Sequence, residues 1–375
     1  MARKKICFVL PSLHGGGAER AAVQILNALD PLVWDRSMYL FSREGAYLQA
    51  VDGGIALSSG DDRSRIGRWT ALRRYFVATR PHLVVSFLSY LSVLSAAMAA
   101  KIDARVVFNQ QTPISAFLTD RDYHWRRPWH RRVFSWASRY GYRRADAVVA
   151  TSQGVADDLA LAFGVSANRI HVVHNPVDLD AIARAVDEPI DAAHAVACQP
   201  PVIVAAGRLA AAKNYPLLID AVALLRARLP VRLVILGGGN LEAPLRRLVA
   251  EKQLEDVVTF AGFQRNPWGY IARADVFALS SRYEGFGNVL VEAMACGVPV
   301  VATSSPGTRE IVNDGVDGLL VDRHEPAALA AALERVLQEP GLRTRMAAEA
   351  RRSATRFALP VVASAYARLF EEVLA

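Results

Sequence analysis

Apolar residues along this chain fall into short continuous runs, separated by segments where they recur every three or four positions. Residues 6–10, Ile-Cys-Phe-Val-Leu, form the first run, and an apolar run this short predicts a buried strand. Residues 11–17 predict a loop. Ala22, Ile25, Leu26 and Leu29 then recur at helical spacing. Residues 38–41, 83–87, 105–108 and 147–150 predict further strands with helical segments between them. Such alternation predicts a parallel sheet covered by helices on both faces.

Near His171 the pattern breaks, and a low-complexity stretch follows over residues 181–201. The alternation restarts with predicted strands at 202–205, 232–236, 257–261, 276–279 and 298–302, and a last helical pattern covers about 360–374. A chain of 375 residues is long enough for two domains. Two similar α/β halves fit two Rossmann-like domains facing a central cleft. The expected division is 1–175 and 176–357.

Composition narrows this picture. Hydrophobic residues make up 52% and charged residues 21%, which suits a globular α/β protein and excludes a disordered one. The three cysteines are far apart, so neither a disulfide framework nor zinc spacing follows, and a reducing cytoplasm is the natural setting. No signal peptide is expected, because the run at 6–10 is too short. Residues 83–100 carry no charge but include four serines, and they divide more naturally into a strand and a helix than into a membrane span. The formal net charge is +8, and the basic excess sits before residue 178. That asymmetry suggests an anionic partner: nucleic acid, a membrane surface or a phosphorylated acceptor.

Chemistry concentrates in residues 284–301, Glu-Gly-Phe-Gly-Asn-Val-Leu-Val-Glu-Ala-Met-Ala-Cys-Gly-Val-Pro-Val-Val. Gly285 and Gly287 let backbone N–H groups approach a ligand. The N–H groups of Gly287, Asn288 and Val289 are expected at a helix N-terminus, where anions and polar oxygens bind. Glu292 follows one turn later. As an ionised carboxylate it needs donors, and a pair of ribose hydroxyls would suit it. A capped helix with two solvated glutamates is the plainer alternative. Glu284 and Glu292, with seven residues between them, resemble the E-x7-E motif of family 4 retaining glycosyltransferases, which use nucleotide-sugars and have the GT-B fold. The flanking Ser281-Arg282-Tyr283 and Gly297-Val298-Pro299 are similar to the family pattern too.

Other segments carry the same resemblance. Gly207-Arg208-Leu209 with Lys213 ends the first strand of the second half, and in the family the matching cations hold the donor diphosphate. Leu236-Gly237-Gly238-Gly239 resembles the glycine turn beside the nucleotide. Gly262-Phe263-Gln264-Arg265-Asn266-Pro267 resembles the segment beside the base, with the Phe263 side chain itself expected in the core. Gly15-Gly16-Gly17-Ala18-Glu19-Arg20 follows the first strand and opens the first helix, where backbone N–H groups can cradle an anion. It resembles the start of one branch of the family. Residues 172–178 resemble the family's crossing between domains, and the architecture implies that a C-terminal helix, about 358–375, returns to the first domain.

The resemblance implies retaining transfer of a hexose or N-acetylhexosamine from a nucleotide-sugar, UDP-sugar favoured, to a glycan or lipid-linked acceptor in polysaccharide or lipopolysaccharide assembly. The first domain would bind the acceptor and the second the donor. It assigns Arg208, Lys213 and helix N-termini to the leaving diphosphate, Glu284 to the sugar and Glu292 to ribose. It also implies no metal and no cofactor beyond the co-substrate. Asp120-Arg121-Asp122 and Asp178-Leu179-Asp180 are accordingly read as turn and helix-cap residues. The segment 121–144 is dense in arginine and aromatic residues. It is expected to meet an anionic membrane through Arg126, Arg127, Arg131 and Arg132, placing the protein on the inner face of the cytoplasmic membrane. A GT-B nucleotide-sugar epimerase and a basic nucleic-acid-binding protein are the alternatives; the second leaves the E-x7-E region unexplained, so no nucleic-acid partner is expected. Ser305-Pro306-Gly307-Thr308 stands where the family more often has a double glycine, so the donor sugar stays open.

Overall fold

The computed structural model describes residues 3–14, 16–60, 65–87, 99, 101–119, 128–190 and 201–375. The chain divides into two compact units: one runs to Pro176 and includes Leu359–Ala375, and the other comprises Val177–Ala358.

The first unit holds seven strands: β1 (Lys4–Leu10), β2 (Trp34–Leu40), β3 (Ala56–Ser59), β4 (Leu83–Phe87), β5 (Arg105–Gln110), β6 (Ala147–Ala150) and β7 (Ile170–Val172). They form one parallel sheet in the order β3-β2-β1-β4-β5-β6-β7. The second unit holds β8 (Val202–Ala206), β9 (Arg232–Leu236), β10 (Val258–Gly262), β11 (Val276–Leu279), β12 (Val300–Thr303) and β13 (Gly318–Val321). Their order is β10-β9-β8-β11-β12-β13, again parallel. Central strands such as β4, β6, β8 and β12 are buried along their whole length, as apolar runs covered on both faces must be. In each sheet the strand order reverses beside the first strand of the unit, between β1 and β4 and between β8 and β11. Ligands of open α/β sheets bind at the carboxyl ends of strands at such points.

Of the thirteen strands among the described residues, ten coincide with predicted runs. The other three are β3, β7 and β13, each at the edge of a sheet. An edge strand has one neighbour and keeps a solvated side, so β3 and β7 are only partly buried and show no apolar run. The low-complexity stretch also begins differently from the expectation. Leu179–Ala185 is a helix, and the Asp178 carboxylate caps it by accepting from the Ala181 N–H at 2.8 Å. The expected helix after β4 and the D-x-D pair Asp120 and Asp122 lie outside the described residues. Among the described residues no helix is long and apolar enough to cross a membrane.

The last helix, Leu359–Leu374, buries Val362, Ala363, Tyr366, Leu369 and Phe370 in the core of the first unit. Their spacing places them on one face. Phe370 meets Phe8 and Trp34 edge-on, each at 6.1 Å between ring centroids. Tyr366 Oη accepts from Asn109 Nδ2 at 2.7 Å, which satisfies two buried polar groups. The Phe370→Ala substitution is expected to destabilise the first unit by about 3–5 kcal/mol through cavity formation, measured by urea unfolding. A loss below about 1 kcal/mol would show that this helix contributes little to the core.

Candidate active site

The carboxyl ends of β8, β9 and β10 carry glycine turns that lie side by side. The Gly207 N–H donates to Leu236 O at 2.9 Å, Leu209 N–H to Gly238 O at 2.9 Å, and Gly237 N–H to Gly262 O at 2.7 Å. This backbone contact explains the glycine run after β9. Gly237 has a φ of +126°, and a Cβ there would stand 2.1 Å from Gly207 O, so no side chain fits. Arg208 is exposed at the rim of these turns.

Lys213 and Glu284 meet at the β8/β11 switch point. Lys213 Nζ stands 2.6 Å from Glu284 Oε1, and both side chains are largely buried. Ser281 Oγ donates to the same carboxylate oxygen at 2.6 Å. The two loops that carry this pair are tied together through their backbones. Ser280 Oγ donates to Lys213 O at 2.9 Å, and the Arg282 N–H donates to Ala212 O at 2.8 Å. Thr303 Oγ1, at the end of β12, donates to Ser281 O at 2.6 Å. Beneath the pair, the buried Tyr215 hydroxyl donates to Gly207 O at 3.2 Å. Burial, and then the Glu284 charge, hold this phenol well above its ordinary range, so it stays protonated.

The expected helix N-terminus is present. The helix Asn288–Ala295 is capped by Gly287, whose φ is +109°. That left-handed turn leads the chain from Glu284 into the helix and points the first N–H groups, including those of Asn288 and Val289, out of the helix end. Glu292 lies one turn along and is 6% exposed, so the alternative of two solvated glutamates is corrected: both carboxylates are enclosed. Glu292 Oε2 accepts from the Trp268 indole Nε1 at 2.9 Å. Burial, followed by the Glu292 charge, pushes the nearby Cys296 thiol up to about 12, against the opposing effect of Arg351. Gly307, the second residue of the helix Pro306–Ile311, approaches so closely that a Cβ would stand 2.9 Å from both Glu284 O and Gly285 O. Ser305 and Thr308 form a reciprocal capping box at that helix end.

Arg208, Lys213, Gly207, Gly238, Glu284, Gly287, Asn288, Val289 and Glu292 all belong to the second unit. Phe263 corrects the expectation of a core residue: it is 60% exposed, because the chain turns out of the sheet at Gly262, whose φ is +69°. In the first unit, Gly16 is extended and caps the helix Gly17–Ala28, with Glu19 in its first turn; Gly15 lies outside the described residues. Arg131 and Arg132 are exposed on the helix Pro128–Tyr142, whereas Arg126 and Arg127 lie outside the described residues. Tyr215, Ser281 and Trp268 were given no roles from the sequence. Only the polar pair Ser280-Ser281, which breaks an apolar strand end just before Glu284, signalled one of them.

Comparison with known proteins bears on this arrangement. The family model described as glycosyl transferases group 1 matches residues 186–353, and the model for glycosyltransferase family 4 matches residues 15–181. One relative is the N-acetylgalactosamine-N,N'-diacetylbacillosaminyl-diphospho-undecaprenol 4-alpha-N-acetylgalactosaminyltransferase of Campylobacter jejuni. It is 36% identical over 203 residues, covering 54% of this chain and 53% of the relative. A second is the lipopolysaccharide core biosynthesis glycosyltransferase LpsE of Rhizobium meliloti, 33% identical over 245 residues, covering 64% of this chain and 68% of LpsE. The chain thus spans about half the length of the Campylobacter relative and two thirds of LpsE. The solved structure of Anabaena HepE in complex with UDP and glucose superposes with a TM-score of 0.81 at 22% identity, covering 98% of this chain and 100% of HepE. That likeness shows a shared fold, GT-B, built of two parallel-sheet units. With separate family models on the two units and LpsE matched over most of its length, the chain belongs to glycosyltransferase family 4.

Proposed function

We propose that this enzyme transfers a hexose or N-acetylhexosamine from a nucleotide-sugar, UDP-linked in first preference, to a lipid-linked glycan, with retention at the anomeric carbon and without a metal. The observation that carries this reading is the enclosed Lys213–Glu284 pair at the β8/β11 switch point, beside the helix N-terminus at Gly287. Breaking the donor bond leaves negative charge on the diphosphate and positive character on the sugar ring. Arg208 and Lys213, with the N–H groups of Gly287, Asn288 and Val289, stabilise the diphosphate. Within the first unit, Gly16 and Gly17 at the start of the helix Gly17–Ala28 offer an anion-binding helix end of their own. Glu284, oriented by Lys213 and Ser281, holds sugar hydroxyls and stabilises the cationic ring. Glu292 holds the ribose. The leaving phosphate oxygen takes the acceptor proton as the acceptor oxygen bonds to the anomeric carbon on the same face. Support for the donor comes from the UDP and glucose in the HepE structure. The diphospho-undecaprenol in the name of the Campylobacter relative supports a lipid-linked acceptor.

The same reading places the protein at a cytoplasmic membrane surface. On the helix Pro128–Tyr142, Trp129, Val133, Trp136 and Tyr140 are all exposed, Trp136 by 69%. Spacings of four, three and four residues align them in one stripe. Exposed arginines, Arg131, Arg132 and Arg139, stand beside it. A helix with aromatic residues on one side and arginines on the other lies well in an anionic lipid interface.

The Glu284→Gln substitution is expected to lower turnover about 10²–10³-fold while leaving donor binding intact, followed by nucleotide release in the presence of a lipid-linked acceptor. Unchanged turnover would remove Glu284 from the chemistry, and an epimerised donor with no transfer would replace the transferase reading by an epimerase. Flotation with vesicles rich in phosphatidylglycerol should recover the wild-type protein. A variant with Arg126, Arg127, Arg131 and Arg132 neutralised should lose most of that binding, at about 1 kcal/mol per basic residue. Equal flotation of the two would rule out this face.

A further inference from the structure

We infer that Trp268 is the positioning residue for Glu292, and that a polar chain through Asn266 makes ribose recognition depend on the segment Ala185–Glu188. The inference rests on the reading above that Glu292 holds the ribose.

An indole N–H is a single donor in a fixed direction, so the 2.9 Å bond from Trp268 Nε1 to Glu292 Oε2 sets the plane of a carboxylate that is almost fully enclosed. A buried carboxylate is strongly disfavoured unless donors face it, and this bond is charge-assisted. A carboxylate has about four acceptor sites, so it can accept a vicinal diol at a defined angle beside the indole.

Trp268 is itself fixed by Asn266. Asn266 Oδ1 accepts from the backbone N–H groups of Trp268 at 3.1 Å and Gly269 at 3.2 Å. Asn266 Nδ2 donates to Ala185 O at 2.7 Å and to Glu188 Oε2 at 2.9 Å. Two donors face the oxygen and two acceptors face the nitrogen, so the amide has one consistent orientation. The contact between the segment and the short helix Trp268–Ile271 is close. A Cβ on Gly269 would stand 2.9 Å from Ile190 Cγ2, and Arg273 Nη1 donates to both Val186 O at 3.2 Å and Gly269 O at 2.5 Å. The end of the first helix of the second unit therefore connects, through one amide and one indole, to the carboxylate of the E-x7-E motif.

The test uses the full chain and calorimetric binding of UDP, GDP and ADP, then the 2′,3′-dideoxy counterpart of the diphosphate that binds best. The ratio of the two affinities reports the ribose hydroxyls alone. Trp268→Phe keeps a ring and removes the donor, and it should lower this ratio about tenfold, with dideoxy binding unchanged within about twofold. Asn266→Ala should lower the ratio in the same direction by a smaller factor. Glu292→Gln is the control for the underlying reading: a ratio retained in that variant overturns ribose binding by Glu292 itself. A ratio lost in Glu292→Gln but retained in Trp268→Phe overturns the positioning role. Equal weakening of both ligands in Trp268→Phe assigns Trp268 to packing and also overturns it. Should Trp268→Phe fail to fold, an unchanged ratio in Asn266→Ala does the same.

Discussion

The bond between Lys213 and Glu284 joins two loops that the sheet topology brings together from opposite sides of a strand-order reversal. Lys213 follows β8 and Glu284 follows β11, seventy-one residues later, yet their charges meet at 2.6 Å in a largely enclosed site. Removing one partner would leave the other charge buried without compensation, which is strongly unfavourable. The surrounding structure is arranged to keep the pair. Ser280 and Arg282 bond back to the Lys213 loop, Thr303 fixes Ser281, and Ser281 completes the coordination of the carboxylate. The site is thus set by strand ends and short loops, which hold catalytic groups more rigidly than long loops do.

Around this pair the backbone supplies what side chains do not. Glycine turns after β8, β9 and β10 bond to one another directly, so the floor of the site is peptide groups at close approach. The left-handed Gly287 turns the chain into a helix whose N–H groups face outward from its end, close to the enclosed glutamate pair. The capping box at Ser305 and Thr308 stabilises a second helix end next to the Glu284 carbonyl. A site built this way presents donors and positive potential to an anion, with only a few side-chain charges required.

Much of this was legible in the sequence. Central strands announce themselves because burial on both faces demands continuous apolar runs, as in residues 202–205 and 276–279. Glu284, Glu292, Arg208 and Lys213 were singled out through their resemblance to the family, and the glycines around Asn288 through the needs of a helix start. The edge strands β3 and β7 were not legible, since each is only partly buried and has no such run. Phe263 was misjudged because an aromatic residue after a strand reads as core unless the positive-φ turn at Gly262 is known. Trp268, and the part Asn266 plays in holding it, were missed for a different reason. Their partners, Glu292, Ala185 and Glu188, are far away in sequence, and only the tertiary fold brings those donors and acceptors into line.

In the proposed function, the β8/β11 switch point binds the diphosphate of a nucleotide-sugar. Thermal unfolding in the presence of UDP, GDP or ADP tests it most directly, because a ligand of the native state raises the unfolding temperature by mass action. A clear rise is expected with one nucleoside diphosphate, a much smaller one with the matching nucleoside, and loss of the difference in Arg208→Ala. No rise with any diphosphate, or an equal rise with the bare nucleoside, would contradict it.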